Sequence, residues 1–291
     1  MLELDGLTRR YGDRLALDRL SFTVRPGQLL GFVGPNGAGK TTTMRIVLGV
    51  LGADAGTVRY DGKPIDAATR ARFGYMPEER GLYPTMRVGD QLTYLAELHG
   101  IPRAEAREKA ARWMETVGVA DRADSRVEEL SLGNQQRVQL AAALVHDPVV
   151  LILDEPFSGL DPVGVDVMAS VLTERAEAGV PVVFSSHQLE LVERLCDAVA
   201  IVKDGRLVAS GSVEELRARG GQGLYRVEVE GDGAWIDRVP GARREASGLV
   251  RLDDGADDQQ LLDAARAAGR VRRFEPAEPS LSDLFREAIA A

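Results

Sequence analysis

The sequence predicts an α/β fold: a parallel core sheet with an antiparallel β subdomain and a helical subdomain, followed by a small α+β unit. Three observations carry this reading. Residues 34–42, GPNGAGKTT, form a glycine-rich loop directly behind the apolar run LLGFVG. Two further runs rich in valine and isoleucine, VVLILDEP and VPVVFSSH, end in polar residues. Beyond about residue 212 the texture of the chain changes. Short apolar runs bounded in this way read as buried parallel strands. In open α/β sheets the ligand sits beyond the carboxyl ends of such strands, where these polar residues lie.

Taken in order, residues 2–33 alternate apolar and polar in the runs LELDGLTRRYG and LDRLSFTVRPGQ, which predicts half-exposed antiparallel strands leading into a buried one. The glycine loop then opens the helical stretch TTTMRIVLGVLG. TVRY-DG-KPI predicts a hairpin turning at Asp61 and Gly62. Residues 85–146 are helical in pattern, with Glu105 and Lys109, and Glu108 and Arg112, spaced four apart on what reads as a solvated face. Trp113 and Met114 in that region read as packing residues. AVAIVKDGRLVASG predicts a hairpin around Asp204 and Gly205. A linker containing RARGGQG follows, then the runs LYRVEVE and GLVRL, a helix in DDQQLLDAARAAG, the run VRRFEP, and a last helix opened by Ser280 with Asp283 as a capping box. The expected division is a larger domain over 1–215 and an accessory domain over 222–291.

Composition narrows the function. The formal charge of −9, from 45 acidic and 36 basic residues, argues against a nucleic-acid partner. Residues 221–291 hold 10 basic and 14 acidic residues and offer no basic surface either. No apolar stretch reaches the roughly 18 to 20 residues that cross a bilayer, and MLELDGLTRRYG lacks an apolar signal core, so a cytoplasmic location is expected. The single cysteine, Cys196, fits a reducing compartment and reads as a buried structural thiol.

The loop matches G-x-x-x-x-G-K-[ST] through Gly34, Gly39, Lys40 and Thr41. Its glycines let the backbone wrap phosphate oxygens, so that N–H groups and a helix N-terminus point at negative charge. Lys40 then reaches the β- and γ-phosphates, and the Thr41 hydroxyl is a ligand for Mg²⁺. Asn36, Gly37 and Thr42 complete the candidate ATP contacts of the loop. At the end of VVLILDEP, successive side chains point to opposite sides, so Asp154 and Glu155 are suited to different tasks. Asp154 suits Mg²⁺, and Glu155 suits deprotonation of the attacking water. His187, at the end of FSSH, is placed to sense a γ-phosphate. His99 and His146 read as structural or surface groups near helix ends, where a cation suits the dipole.

Seven segments in order resemble the ATPase subunit of an ATP-binding cassette (ABC) transporter, over residues 2–215. They are Tyr11 for the adenine-stacking loop, GPNGAGKTT for Walker A, FGYMPEERGLY for the Q-loop and LSLGNQQR for the signature. VVLILDEP for Walker B, SGLD for the D-loop and SSH for the switch histidine follow. The resemblance implies a P-loop NTPase cassette that binds ATP with Mg²⁺ and pairs with a second ATPase subunit, identical or not. The signature helix, from Ser131 with Gly133 allowing close approach, would cap the partner's nucleotide. Asp161 would be the D-loop acid that communicates between the two sites. The machine would power a separate integral membrane permease from the cytoplasmic face of the cell membrane.

Two departures stand out. Glu78 occupies the usual Q-loop glutamine position, with Gln91 too distant to replace it, and the signature reads LSLGN where LSGGQ is common, placing Leu132 and Asn134 at its rim. PEERGLY and the appended C-terminal unit look most like bacterial exporters of the sodium- or drug-extruding type. A non-transport cassette, as in iron–sulfur assembly, and a nucleotide-gated adaptor with negligible turnover are the alternatives.

Overall fold

Alternation at the start of the chain becomes an antiparallel pair, β1 (Leu2–Tyr11) and β2 (Arg14–Val24), with Leu2 opposite Val24 and Tyr11 opposite Arg14. Irregular register around Gly6, at φ 62°, shifts the phase so that Leu7 is buried along with Leu2 and Leu4. The computed structural model describes residues 1–79, 81–230, 233–245 and 248–290; Arg80 of the PEERGLY stretch therefore lies outside the described residues. Two compact units divide the chain, Met1–Ser210 and Gly211–Ala291.

In the first unit, β3 (Leu29–Val33) is buried throughout and feeds α1 (Lys40–Val47). β4 (Ala55–Tyr60) pairs with the free side of β1, and β5 (Lys63–Pro64) closes the expected hairpin. Asp61 and Gly62 both take positive φ, 49° and 74°, as a two-residue turn matched to strand twist requires. After α2 (Ala67–Arg70) comes β6 (Phe73–Met76). The helical region holds α3 (Val88–Leu98), α4 (Arg103–Thr116) and α5 (Leu132–Leu144). β7 (Val150–Leu153), α6 (Pro162–Glu177), β8 (Val182–Ser186), α7 (Leu189–Leu195), β9 (Ala198–Lys203) and β10 (Arg206–Ser212) complete the series.

Two sheets result, β2-β1-β4-β5 and β10-β9-β3-β8-β7-β6, the second with β9, β3, β8, β7 and β6 mutually parallel. One buried cluster joins both sheets to α1 through Leu7, Leu17, Phe32, Met44, Phe73, Ile152 and Val183. Each such side chain, fully withdrawn from water, contributes roughly 1.5–3 kcal/mol. The carboxyl ends of β3, β7 and β8 therefore open side by side, and the loop, Asp154 with Glu155, and His187 follow directly on them.

The second unit has a four-stranded antiparallel sheet, β12-β13-β11-β14. Its elements are α8 (Val213–Gly220), β11 (Leu224–Val229), β12 (Ala242–Arg244), β13 (Val250–Leu252), α9 (Asp258–Ala268), β14 (Val271–Pro276) and α10 (Leu281–Ala290). Trp235, Ile236, Val250, Leu252, Leu261 and Ala265 form its core, and Ser280 and Asp283 make the expected capping box.

Three expectations are corrected. The stretch read as a linker is helical through Gly220, because Ser212 and Glu215 form a capping box that starts α8 upstream of the glycines. The charges of α4 are not only a solvated face: Lys109 pairs with Glu105 at 3.5 Å but also with Asp147, and Arg112 turns to Asp147 at 3.7 Å. His146 is not a cation at a helix end. It stacks on His99 with ring centroids 3.7 Å apart, and burial, reinforced by His99, lowers its pKa to about 4. Trp113, Met114 and Cys196 are buried as expected.

Candidate active site

Glycine chemistry shapes the loop at three points. A Cβ on Gly34 would meet the Val202 carbonyl oxygen at 2.3 Å, and one on Gly39 would meet the Ala16 carbonyl oxygen at 2.8 Å. Gly39, at φ 104°, is also the N-cap of α1 and Gly37 sits at φ 80°, conformations open to glycine. No side chain caps α1, so its first N–H groups remain for a ligand. Lys40 is buried and its Nζ donates to the carbonyl oxygens of Gly34, at 2.7 Å, and Pro35, at 3.3 Å. The ammonium is thus stored inside the loop it serves.

Tyr11, Asn36, Gly37, Gly39, Lys40, Thr41, Thr42, Glu78, Asp154 and Glu155 line one cleft of about 500 Å³. Tyr11 is 46% exposed, with the Arg9 guanidinium over one face of its ring at 5.0 Å. Gly34 forms the base of the loop, and His187 joins the cleft through Glu155. Sequence reasoning missed two lining residues, Arg14 and Ala16, which reach the loop from the start of β2; Arg14 donates to the Gly37 carbonyl oxygen at 3.3 Å.

Asp154 and Glu155 both line the cleft and differ in setting for a reason other than strand alternation, because β7 ends at Leu153. Asp154 is buried; its Oδ1 accepts from the Ser185 hydroxyl at 2.6 Å, while its Oδ2 has no hydrogen-bond partner. Glu155 takes a left-handed backbone, φ 50°, with its N–H donating to Ser185 Oγ at 2.8 Å. Its Oε2 lies 2.9 Å from Nδ1 of the exposed His187. A left-handed residue other than glycine costs roughly 1–2 kcal/mol and persists where surroundings over-determine it. Here the turn aims a carboxylate beside the loop.

The signature and D-loop residues are not brought to this cleft within the chain. Ser131 caps α5, accepting from the Asn134 N–H at 3.4 Å, and Ser131 and Leu132 are exposed. Around Gly133 the space is open: a Cβ there would find nothing nearer than Leu160 at 3.7 Å. Asp161 caps α6 through the Gly164 N–H at 2.7 Å, with Arg137 at 3.6 Å. Gln91, fully buried, exchanges hydrogen bonds with the Tyr83 backbone and is spent there. On α5, Val138, Ala141 and Val145 are core, whereas Ala142 is only half-buried. Gln136 and Gln139 of α5 are buried as well, on other sides of the helix, and no local signal in the sequence marks them as inward-facing.

A glycine loop on an uncapped helix end, a lysine within it and a buried carboxylate at the end of β7, one strand removed from β3, define a P-loop nucleotide-binding protein. Residues 17–158 match the ABC transporter family, and residues 211–289 match the family described as ATP-binding protein DrrA1-3-like, C-terminal domain. The chain is 39% identical over 295 residues to the uncharacterized ABC transporter ATP-binding protein YhaQ of Bacillus subtilis (strain 168), covering 100% of this chain and 99% of that protein. It is 36% identical to Nod factor export ATP-binding protein I of Ralstonia nicotianae, covering 99% and 90%. A solved ATP-binding subunit of an ABC transporter superposes with a TM-score of 0.70 at 29% identity, over 76% of this chain and 93% of that one. The chain belongs to the ABC transporter ATP-binding proteins, and it is an ATPase subunit of that family.

Proposed function

We propose that two ATPase subunits close on ATP, that Glu155 drives its hydrolysis, and that the cycle powers export through a separate membrane permease. The observation carrying this reading is the split between two half-sites. The cleft holds the loop, Asp154 and Glu155, while the capped start of α5 at Ser131 and Gly133, with room around Gly133, lies outside it. A helix N-terminus carries about half a positive charge, which suits a γ-phosphate presented by a second subunit. Asp161, exposed at the neighbouring helix start, would face the same partner.

Within the cleft, Tyr11 would stack on adenine. The loop amides at 36–42 and Lys40 would hold the phosphates. Mg²⁺ fits the donor set: a buried carboxylate oxygen without a partner, Asp154 Oδ2, lines the cleft with the Thr41 hydroxyl, both hard oxygen donors. Among the described residues no cluster of three or more His, Cys, Asp or Glu holds a metal unaided, so the nucleotide and water would supply the other ligands. The ion would neutralise charge developing between the β- and γ-phosphates. Glu155 would take a proton from water as its oxygen bonds to the γ-phosphorus and the bond to ADP breaks. His187 would hold the Glu155 carboxylate in place and meet the γ-phosphate. Glu78 would add a carboxylate where an amide is usual.

No helix among the described residues is long and apolar enough to cross a membrane; in this reading attachment is peripheral, at the cytoplasmic face. Tyr94 and Leu98 in the helical region, 85–146, and Tyr83 just before it are exposed large apolar side chains that suit this face for contact with the permease. In this reading 1–215 is the ATP-binding domain and 222–291 an accessory domain.

The deciding experiment is Glu155→Gln: ATP affinity should stay within roughly twofold, phosphate release should fall at least about a hundredfold, and an ATP-dependent dimer should accumulate on a sizing column. Phosphate release at the wild-type rate would remove Glu155 from its role. A wild-type chain that binds ATP but releases no phosphate beside its permease would favour the adaptor.

A further inference from the structure

α5 carries two buried glutamines at helical spacing, Gln136 and Gln139. Buried amides are retained where they are hydrogen-bonded, and these two engage backbone at two separate places. Gln136 Nε2 donates to the Pro156 carbonyl oxygen at 2.9 Å and to that of Glu155 at 3.4 Å. Gln139 Nε2 donates to the Pro77 carbonyl oxygen at 2.6 Å. These acceptors lie just past the carboxyl ends of β6 and β7, neighbouring parallel strands with Met76 opposite Leu153. Pro77 precedes Glu78, and Pro156 follows Glu155. Each amide therefore grips a peptide beside a carboxylate of the cleft.

We propose that Gln136 and Gln139 are positioning residues for hydrolysis, bracing the Glu155 turn and the Pro77–Glu78 turn against the helix that begins at Ser131. The inference rests on the reading that Glu155 is the base. Its physical content is rigidity. The left-handed backbone of Glu155, φ 50°, has its N–H held by Ser185 and its carbonyl oxygen by Gln136, so the orientation of the carboxylate depends on where α5 lies. Gln139 couples the second turn to the same helix, and its Oε1 is buried without a partner. Contact made at the exposed start of α5 is thereby transmitted to two carboxylates that α5 does not touch through its own backbone. Catalysis is sensitive to such placement: a misplacement of about 1 Å can cost roughly a hundredfold.

The test uses full-length Gln136→Met and Gln139→Met chains, with Glu155→Gln alongside, and reads ATP affinity, kcat at saturating ATP and Tm. In both glutamine variants the Kd for ATP should stay within about twofold while kcat falls roughly tenfold or more, because the loop that binds phosphate is untouched. Amides that merely hold the helix down would lower Tm and leave the kcat of folded molecules unaltered. A kcat within about twofold of wild type in both variants, or a Kd that rises in proportion to the loss of kcat, overturns the proposal. Gln139→Asn, which keeps the amide but falls one methylene short of Pro77, guards against a variant that fails to fold; wild-type kcat there overturns the Gln139 role equally. An inactive Glu155→Gln beside fully active glutamine variants removes the brace alone. An active Glu155→Gln removes the base reading and the brace together.

Discussion

Lys40 illustrates how one residue carries the chemistry of the whole. Its ammonium bonds the Gly34 and Pro35 carbonyl oxygens, so the charge is withdrawn from solvent and already set among the groups that would meet phosphate. Charge-assisted hydrogen bonds are worth about 1.5–3 kcal/mol, so Lys40→Ala should weaken ATP binding roughly tenfold to a hundredfold by titration calorimetry; unaltered affinity would contradict the contact. The loop was legible residue by residue because phosphate binding is local: nine consecutive residues supply both the backbone and the side chain. Asp154 and Glu155 were legible for the same reason. Arg14 was not, since it reaches the cleft across the turn between β1 and β2, and nothing in its neighbours marks that reach.

At the scale of elements, α5 joins functions that the sequence presents separately. Its N-terminus is exposed, its middle is core, and its glutamines hold loops from two strands. Gly133 has no steric need for glycine within its own chain, and glycine lowers helix stability by about 0.5–1 kcal/mol relative to alanine. Gly133→Leu should therefore leave Tm unchanged or slightly raised and the monomer's ATP affinity intact, while abolishing ATP-dependent dimer formation by light scattering; dimerisation at wild-type strength would show that nothing docks there. The stacked histidines join α3 and the end of α5 to the approach of β6, His99 through the Ala71 carbonyl oxygen and His146 through that of Phe73. Burial holds the folded His146 pKa at about 4, below the ordinary value of 6.5. The unfolded chain thus gains a proton as pH falls from about 6.5 to 4 while the folded chain does not, so stability contributed by this group is present above the unfolded pKa and is lost across that window, up to roughly 3 kcal/mol. Denaturant melts at pH 7 and 4.5 should show a smaller acid loss in His146→Gln than in wild type; equal losses would remove the linkage.

On the scale of the whole molecule, the chain is an ATPase subunit of the ABC transporter family, and the proposed coupling to a separate permease is tested by what accompanies it. Purified from native membranes through a tag, it should bring an integral membrane protein in stoichiometric amount, retained in the Glu155→Gln variant with ATP. Recovery of the subunit from the soluble fraction alone would argue against transport coupling. The second unit illustrates the limits of reading. Its sheet and helices were visible in composition, whereas β12 was not, and α8 was hidden because the Gly220 and Gly221 pair that ends it looks like the signature of a linker.

What the sequence by itself determined is the chemistry held in continuous stretches: the phosphate loop, the acidic pair after a buried strand, the histidine after the next, and hence the class of ATPase. What only the tertiary structure decided is which of these meet. The parallel sheet brings the carboxyl end of β3 beside those of β7 and β8, which lie more than a hundred residues further along the chain, and leaves Ser131, Gly133 and Asp161 outside the cleft. It alone turned Gln136 and Gln139 inward and neutralised His146. The physical reason is that proximity across a sheet, and the desolvation that comes with burial, depend on the packing of distant segments and leave no mark on a residue's immediate neighbours.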